Sequence, residues 1–433
     1  MRATILFCGA SLALGAMASV AACATSENEP QTTSTPDSGE TIATPSEGGQ
    51  PEAATDSGTE AASPECSDAG WCRTSLPDDD LTLKDIWPVG ETAFAIADSP
   101  TLGIKVLEWK KGDASWSYID DSSQNDVGLG KYAGRIWAPS ENEIYYGVGP
   151  GYVYYGKRPE APNTTWSWTR ESLKDNSHPD FVDPQDGYPL YPELGQNYPT
   201  LGIWGTSAGD VYAWFTNTIY RRTSTGGAAP EWVPEYVADD ASDSTEHMYF
   251  LSAAGAGPDD VWFSATRARS GAACTVLVRK TGGAYRRVAD GIASDWSDCE
   301  ARQDQLLIGG APGWLTDLHM PSPNEIVGLK GGRDVVHVSI SGDGYSLSAA
   351  SVSPKLTGQP LDSLWAIPGS VWLCGSGVVL QGGNDVWDGG TFQISTLAMN
   401  GGALKQTLYQ VRGTSNTNLW AIGVRNALHK TTP

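Results

Sequence analysis

The 433-residue sequence lacks the short motifs that announce common chemistries: it holds no HExxH, no CxxC, no phosphate-binding P-loop and no glycine-rich dinucleotide turn. Its five histidines, His178, His247, His319, His337 and His429, include no pair at metal-ligand spacing. No stretch sustains a helical period of apolar residues, which sets aside helical bundles and solenoids. Basic residues are scarce. With 28 lysines and arginines against 51 acids, the net charge is −23, and this balance repels nucleic acid and anionic lipid headgroups. Solubility in a crowded compartment accounts for the charge without naming a partner. Residues 24–64 lack more still, having no aromatic, no lysine and no arginine, and only Ile42 among the larger aliphatic residues.

Such a segment cannot bury enough apolar surface to offset its ordering entropy. It reads as a disordered linker with a span of about 35 Å, and nine carboxylates between Glu27 and Glu65 make it acidic. Ahead of it, Met1-Arg2 and an uncharged run to Ala22 have the form of a signal peptide. The run ends Val20-Ala21-Ala22-Cys23 and resembles the bacterial lipobox, whose cysteine takes the lipid. The resemblance implies removal of residues 1–22, a fatty-acid (palmitate) anchor on Cys23, and, with Ala24 behind it in place of aspartate, display at the outer membrane or cell surface. An ordinary Ala-x-Ala site within residues 18–22 is the alternative. An uncleaved membrane span needs about 20 strongly apolar residues, and Gly9, Ser11, Gly15 and Ser19 dilute this one.

The remaining residues, 66–433, are long for one core, and a unit recurs in them. Its clearest copies are Ile136-Trp137 leading to Glu143-Ile144-Tyr145, Ile203-Trp204 leading to Asp210-Val211-Tyr212, and Val411-Arg412 leading to Asn418-Leu419-Trp420. Weaker copies begin near Ile86, Gly255, Leu318 and Leu364, which makes seven. Each reads as two short strands around a tight polar turn, followed by a third and usually a fourth strand. Four antiparallel strands in about 50 residues is the pattern of a β-propeller blade. The seventh unit stops short of a fourth strand, while an orphan strand around Trp71 precedes the first. The expected fold is therefore all-β, a seven-bladed propeller closed by the N-terminal strand, with six blades and a separate strand as the alternative. The expected organisation is a signal peptide at 1–22, a lipidated cysteine and linker at 23–65, and the propeller at 66–433.

The units resemble the degenerate repeats of predicted bacterial surface lipoproteins, a likeness that implies fold and location and no activity. They lack the paired Gly-His and Trp-Asp of WD40 repeats and the regular Gly-Gly of kelch, and Ser341-Gly342-Asp343-Gly344-Tyr345 misplaces a glycine for an Asp-box. The repeat-equivalent tryptophans, Trp87, Trp137, Trp204, Trp262, Trp365, Trp372 and Trp420, read as packing between blades.

Candidate binding groups lie instead in two insertions that break the repeat, 171–200 and 295–315: Tyr188, Tyr191, Tyr198, Trp296 and Trp314. Asp180, Asp183 and Asp186 in the first insertion have a spacing that suits calcium; no other cofactor is expected. In an oxidising compartment near neighbours pair, giving Cys66 with Cys72 and Cys274 with Cys299, and leaving Cys374 as a buried thiol. The function expected is a membrane-anchored, non-catalytic module binding a protein or glycan. A glycan-active hydrolase or lyase working in the central funnel is the alternative, and it would require acids or arginines from several blades to converge on the axis.

Overall fold

A computed structural model of the chain describes residues 65–126, 132–176, 201–224, 229–238, 246–269, 272–293, 299–399 and 402–432. Cys23, the signal segment and the linker lie outside the described residues.

Seven four-stranded antiparallel sheets follow one another along the chain. Their inner strands are Thr82–Val89, Ala133–Ser140, Leu201–Ser207, Glu246–Gly257, Leu315–Ser322, Leu361–Ile367 and Leu408–Ser415 in blades 1 to 7. Each inner strand packs against the inner strands of the preceding and following blades, and that of blade 7 returns to that of blade 1, so the sheets close into a ring. The fold is a seven-bladed β-propeller.

The period-two alternation of the strands explains why the ring is stable. In the second strand of blade 7, Leu419 and Ala421 pack toward blade 6 while Trp420 and Ile422 pack toward blade 1. Blade 6 does the same, with Val371 and Leu373 toward blade 5 and Trp372 and Cys374 toward blade 7. Seven hydrophobic clusters result, one at each interface between neighbouring blades. A buried aliphatic or phenylalanine side chain contributes about 1.5–3 kcal/mol relative to exposure, so each blade depends on both neighbours.

Closure falls to the N-terminal strand. Trp71–Arg73 adds a fourth strand to blade 7, with Trp71 opposite Lys430 and Arg73 opposite Leu428. Trp71 is fully buried; its ring meets Trp372 edge-on at 6.1 Å and its indole donates to Ser395 Oγ at 2.9 Å, both on blade 6. Cys66 and Cys72 are bonded just where this strand begins. The second pair, Cys274 and Cys299, ties blade 4 to a two-stranded excursion, Gly291–Ala293 with Cys299–Ala301, that stands in the second insertion region. Cys374 is a free, buried thiol whose pKa burial pushes up.

Candidate functional site

Where the seven inner strands meet, six of them carry a register shift at the same level: between Leu83 and Asp85, Ala133 and Ile136, Phe250 and Ser252, Thr316 and His319, Leu361 and Ser363, and Leu408 and Gln410. A bulge adds a residue, bends the strand and re-aims a side chain. Here it delivers a ring of polar residues: Asp85, Arg135, Ser252, Asp317, Ser363 and Gln410, each at most 8% exposed. Blade 3 has no shift there and offers Gly202. A Cβ on that glycine would lie 2.0 Å from the ring of Trp214, so the absent side chain leaves the indole its place beside the axis.

Part of this ring fastens blade to blade. Asp85 Oδ2 accepts from the Ile136 amide at 2.9 Å, Ser252 Oγ from the Leu318 amide at 2.9 Å, and Ser363 Oγ from the Val411 amide at 3.2 Å. In each case the residue of one blade satisfies the backbone of the next. The rest forms an ionic network across the channel. Arg135 donates to Gln410 Oε1 at 3.0 Å and to Asp317 Oδ1 at 3.2 Å, and Gln410 Nε2 donates to the same Asp317 oxygen at 3.2 Å. Asp85 lies 3.7 Å from Arg135 and 3.6 Å from Arg412. Asp317 sits in the left-handed region at φ 49°. Such a backbone costs on the order of 1–3 kcal/mol and persists where its surroundings over-determine it, as two hydrogen bonds do here.

One turn of the alternation further along the strands, Trp87, Trp204, His319 and Arg412 form a second ring around a cavity of about 130 Å³, whose wall also includes Trp214, Met320 and residues 252–255 of blade 4, and which Asp85, Arg135 and Asp317 line as well. The Arg412 guanidinium lies over the Trp87 ring at 4.8 Å, and its Nε has no hydrogen-bond partner among the described residues. His319 meets the Leu364 carbonyl through Nε2 at 2.9 Å, which requires a proton there. Burial first, then the nearby Arg412 and Arg135 charges, push its pKa down to about 3, so the ring is neutral. One residue before the polar ring, toward the opposite end of the channel, stand Lys84, Asp362 and Tyr409. Lys84 lies over the Tyr409 ring at 4.7 Å and 3.6 Å from Asp98. Asp362 keeps exposed area yet is crowded by protein, and this desolvation, helped by the Asp317 charge, raises its carboxyl to about 7.

Charged groups from blades 1, 2, 5 and 7 thus converge on the axis, where the sequence suggested no acid/base constellation. They escaped notice because each occurs once, in a different blade, and the bulges alter the register that a repeat comparison assumes. A signal was nonetheless present: Asp85 and Arg135 stand directly before two of the three Ile-Trp pairs, and Arg412 and His319 replace the tryptophan of other copies. The repeat tryptophans also divide. Trp137, Trp262, Trp365, Trp372 and Trp420 are buried between blades, while Trp87 and Trp204 are half-buried and line the cavity.

Of the residues singled out in the insertions, Tyr188, Tyr191, Tyr198, Trp296, Asp180, Asp183 and Asp186 lie outside the described residues. Trp314 is half-buried just ahead of the inner strand of blade 5, its carbonyl accepting from the Gly331 amide at 2.9 Å, and it is not part of the cavity wall. Asp175, at the head of the acidic insertion, accepts from Thr216 Oγ at 2.7 Å. Among the described residues no cluster of three potential metal ligands occurs, and no helix is long and apolar enough to cross a membrane.

The ring and its central network define the chain as a β-propeller of seven blades. No family model matches it, and no curated protein does. Solved propellers do. YCF48 bound to D1 peptide is 13% identical with a TM-score of 0.51, the match covering 86% of this chain and 100% of that one. The Myceliophteria thermophila Cps50 (Swd1) β-propeller domain is 11% identical with a TM-score of 0.50, covering 81% and 98%. At these identities the likeness is one of fold.

Proposed function

We propose that this propeller is a non-catalytic protein-binding module, held at the cell envelope by a lipid on Cys23, with the Trp87–Trp204–Arg412 end of its channel as the contact surface. The observation that carries the reading is the state of the axial charges. Asp85 and Asp317 are buried, at 0% and 1% side-chain exposure, and are ion-paired, Asp85 with Arg135 and Arg412 and Asp317 with Arg135, so the acids a hydrolase would use are tied into the network that joins the blades. The cavity, at about 130 Å³, is also smaller than the roughly 300–1,000 Å³ of sites that enclose small molecules. It suits a single side chain presented by a larger partner, with aromatic walls of the kind that dominate protein contacts. A propeller of like fold has been seen with a peptide bound. Tyr188, Tyr191 and Tyr198 in the longest insertion supply a second contact patch in this reading.

The glycan-active alternative draws on one observation, the Asp362 carboxyl raised to about 7, the range of a general acid. Glycoside hydrolysis generally uses two carboxyl groups flanking the bond, and Asp317, the carboxylate whose charge acts on Asp362, is buried and paired with Arg135. The test is to probe a polypeptide array and a glycan array with full-length protein while following release of reducing ends. Binding to polypeptide, weakened severalfold by Trp204→Ala and not by Trp314→Ala, without release of reducing ends, is the expected result. Release that disappears in Asp362→Asn would replace the binding module by the enzyme.

A further inference from the structure

From the order in which the axial charges meet solvent, we infer that the cavity receives one acidic side chain, from a partner segment otherwise neutral or basic, and that Arg412 is its anchor. The inference rests on the protein-binding reading above and names the chemistry of the ligand. Side-chain exposure rises along the network from 0% at Asp85 and 1% at Asp317 to 8% at Arg135 and 13% at Arg412. A ligand entering from the Trp87–Trp204 end therefore meets the more exposed guanidinium first, in a cavity that Asp85, Arg135 and Asp317 also line. Asp317 Oδ1 is taken by Arg135 and Gln410 and Asp85 Oδ2 by the Ile136 amide, while Asp317 Oδ2 and Asp85 Oδ1 have no hydrogen-bond partner among the described residues; the outer cation is matched only by the ion pair to Asp85 Oδ1 at 3.6 Å, beyond hydrogen-bond distance. The same guanidinium stacks on Trp87, which fixes its plane, and its buried Nε–H has no hydrogen-bond partner among the described residues. A planar cation held flat is the arrangement that takes a carboxylate side-on. His319, neutral and with Nε2 engaged by Leu364, adds no competing charge.

Size and long-range charge restrict the rest of the ligand. A cavity of about 130 Å³ holds the volume of about four waters, enough for the end of a glutamate or aspartate side chain. The net charge of −23 repels a uniformly acidic partner and draws in a basic one. The acid that fits is thus a lone one among neutral or basic neighbours.

Full-length protein panned against a random dodecapeptide library tests this, with enriched peptides resynthesised carrying Gln or Asn for each acid, and separately with amidated C-termini. The expected outcome is enrichment of peptides with one acid among neutral or basic residues, a tenfold or greater loss on replacing that acid, and an equal loss with Arg412→Gln. Should Arg412→Gln unfold early, Arg412→Lys keeps the charge without the planar fork and should bind severalfold more weakly. Peptides that bind equally with their acids replaced, or that lose binding only on C-terminal amidation, would overturn the acidic side-chain assignment while leaving protein binding intact. Failure to enrich any peptide would overturn both readings.

Discussion

Asp362 and His319, on the inner strands of neighbouring blades, titrate in opposite senses. The carboxyl, ordinarily at 3.8, is held at about 7, so between these values the unfolded chain is ionised while the folded chain keeps its proton. Stability from this group falls as pH rises through that window and is level above it. Asp362→Asn should therefore raise the unfolding temperature at pH 8 and leave it unchanged below pH 4. His319, ordinarily at 6.5 and pushed to about 3, behaves conversely: between pH 6.5 and 3 only the unfolded chain binds the proton, so stability present above 6.5 is lost as pH falls. His319→Gln should flatten that acid limb. Thermal melts of the two variants from pH 3 to 9 check both statements, and parallel curves for variants and parent would show that neither group is desolvated in solution.

At the scale of the strand, the decisive element is also the shortest in its sheet. The three residues Trp71–Arg73 give blade 7 its outer strand, and Trp71 seals the joint with blade 6. Thr74 continues the latch, its amide and its hydroxyl both donating to the Ala427 carbonyl at 2.9 Å. Removing a buried tryptophan side chain costs about 3–5 kcal/mol, and an unpaired strand edge invites association. Trp71→Ala should lower the unfolding midpoint by many degrees, and deletion of residues 66–76 should do so further and expose the last blade to aggregation. Deletion of 24–64 should change the midpoint little. Equal melting of the two deletions, with no difference in light scattering, would show that the ring closes without this strand.

At the scale of the whole molecule, the proposed lipid at Cys23 would decide where the closed ring works. Cys23→Ser should abolish metabolic labelling by a fatty acid and move the protein from the membrane to the soluble fraction, with its unfolding midpoint intact. Labelling that survives the substitution would remove the anchor from the proposal. The acidic surface adds a second consequence, since a basic partner drawn in by −23 charges should associate more slowly as salt is raised.

The seven blades were legible because each is built from local alternation: Leu419 and Trp420, or Trp372 and Leu373, must face opposite sides of a strand, and only two flanking sheets can cover both. The closing strand was legible too, from a missing fourth strand at one end and a spare one at the other. The disulfide pairs followed from neighbourhood in the chain. The axial site was not legible, because Asp85, Arg135, Asp317, Gln410 and Arg412 are separated by up to hundreds of residues and are brought together by ring closure. Their register depends on bulges that no periodic reading anticipates, and their charge state depends on who lies opposite across the channel. Alternation along a strand is a property of neighbours in sequence, and it determined the fold; convergence on an axis is a property of the closed ring, and only the tertiary structure decided it.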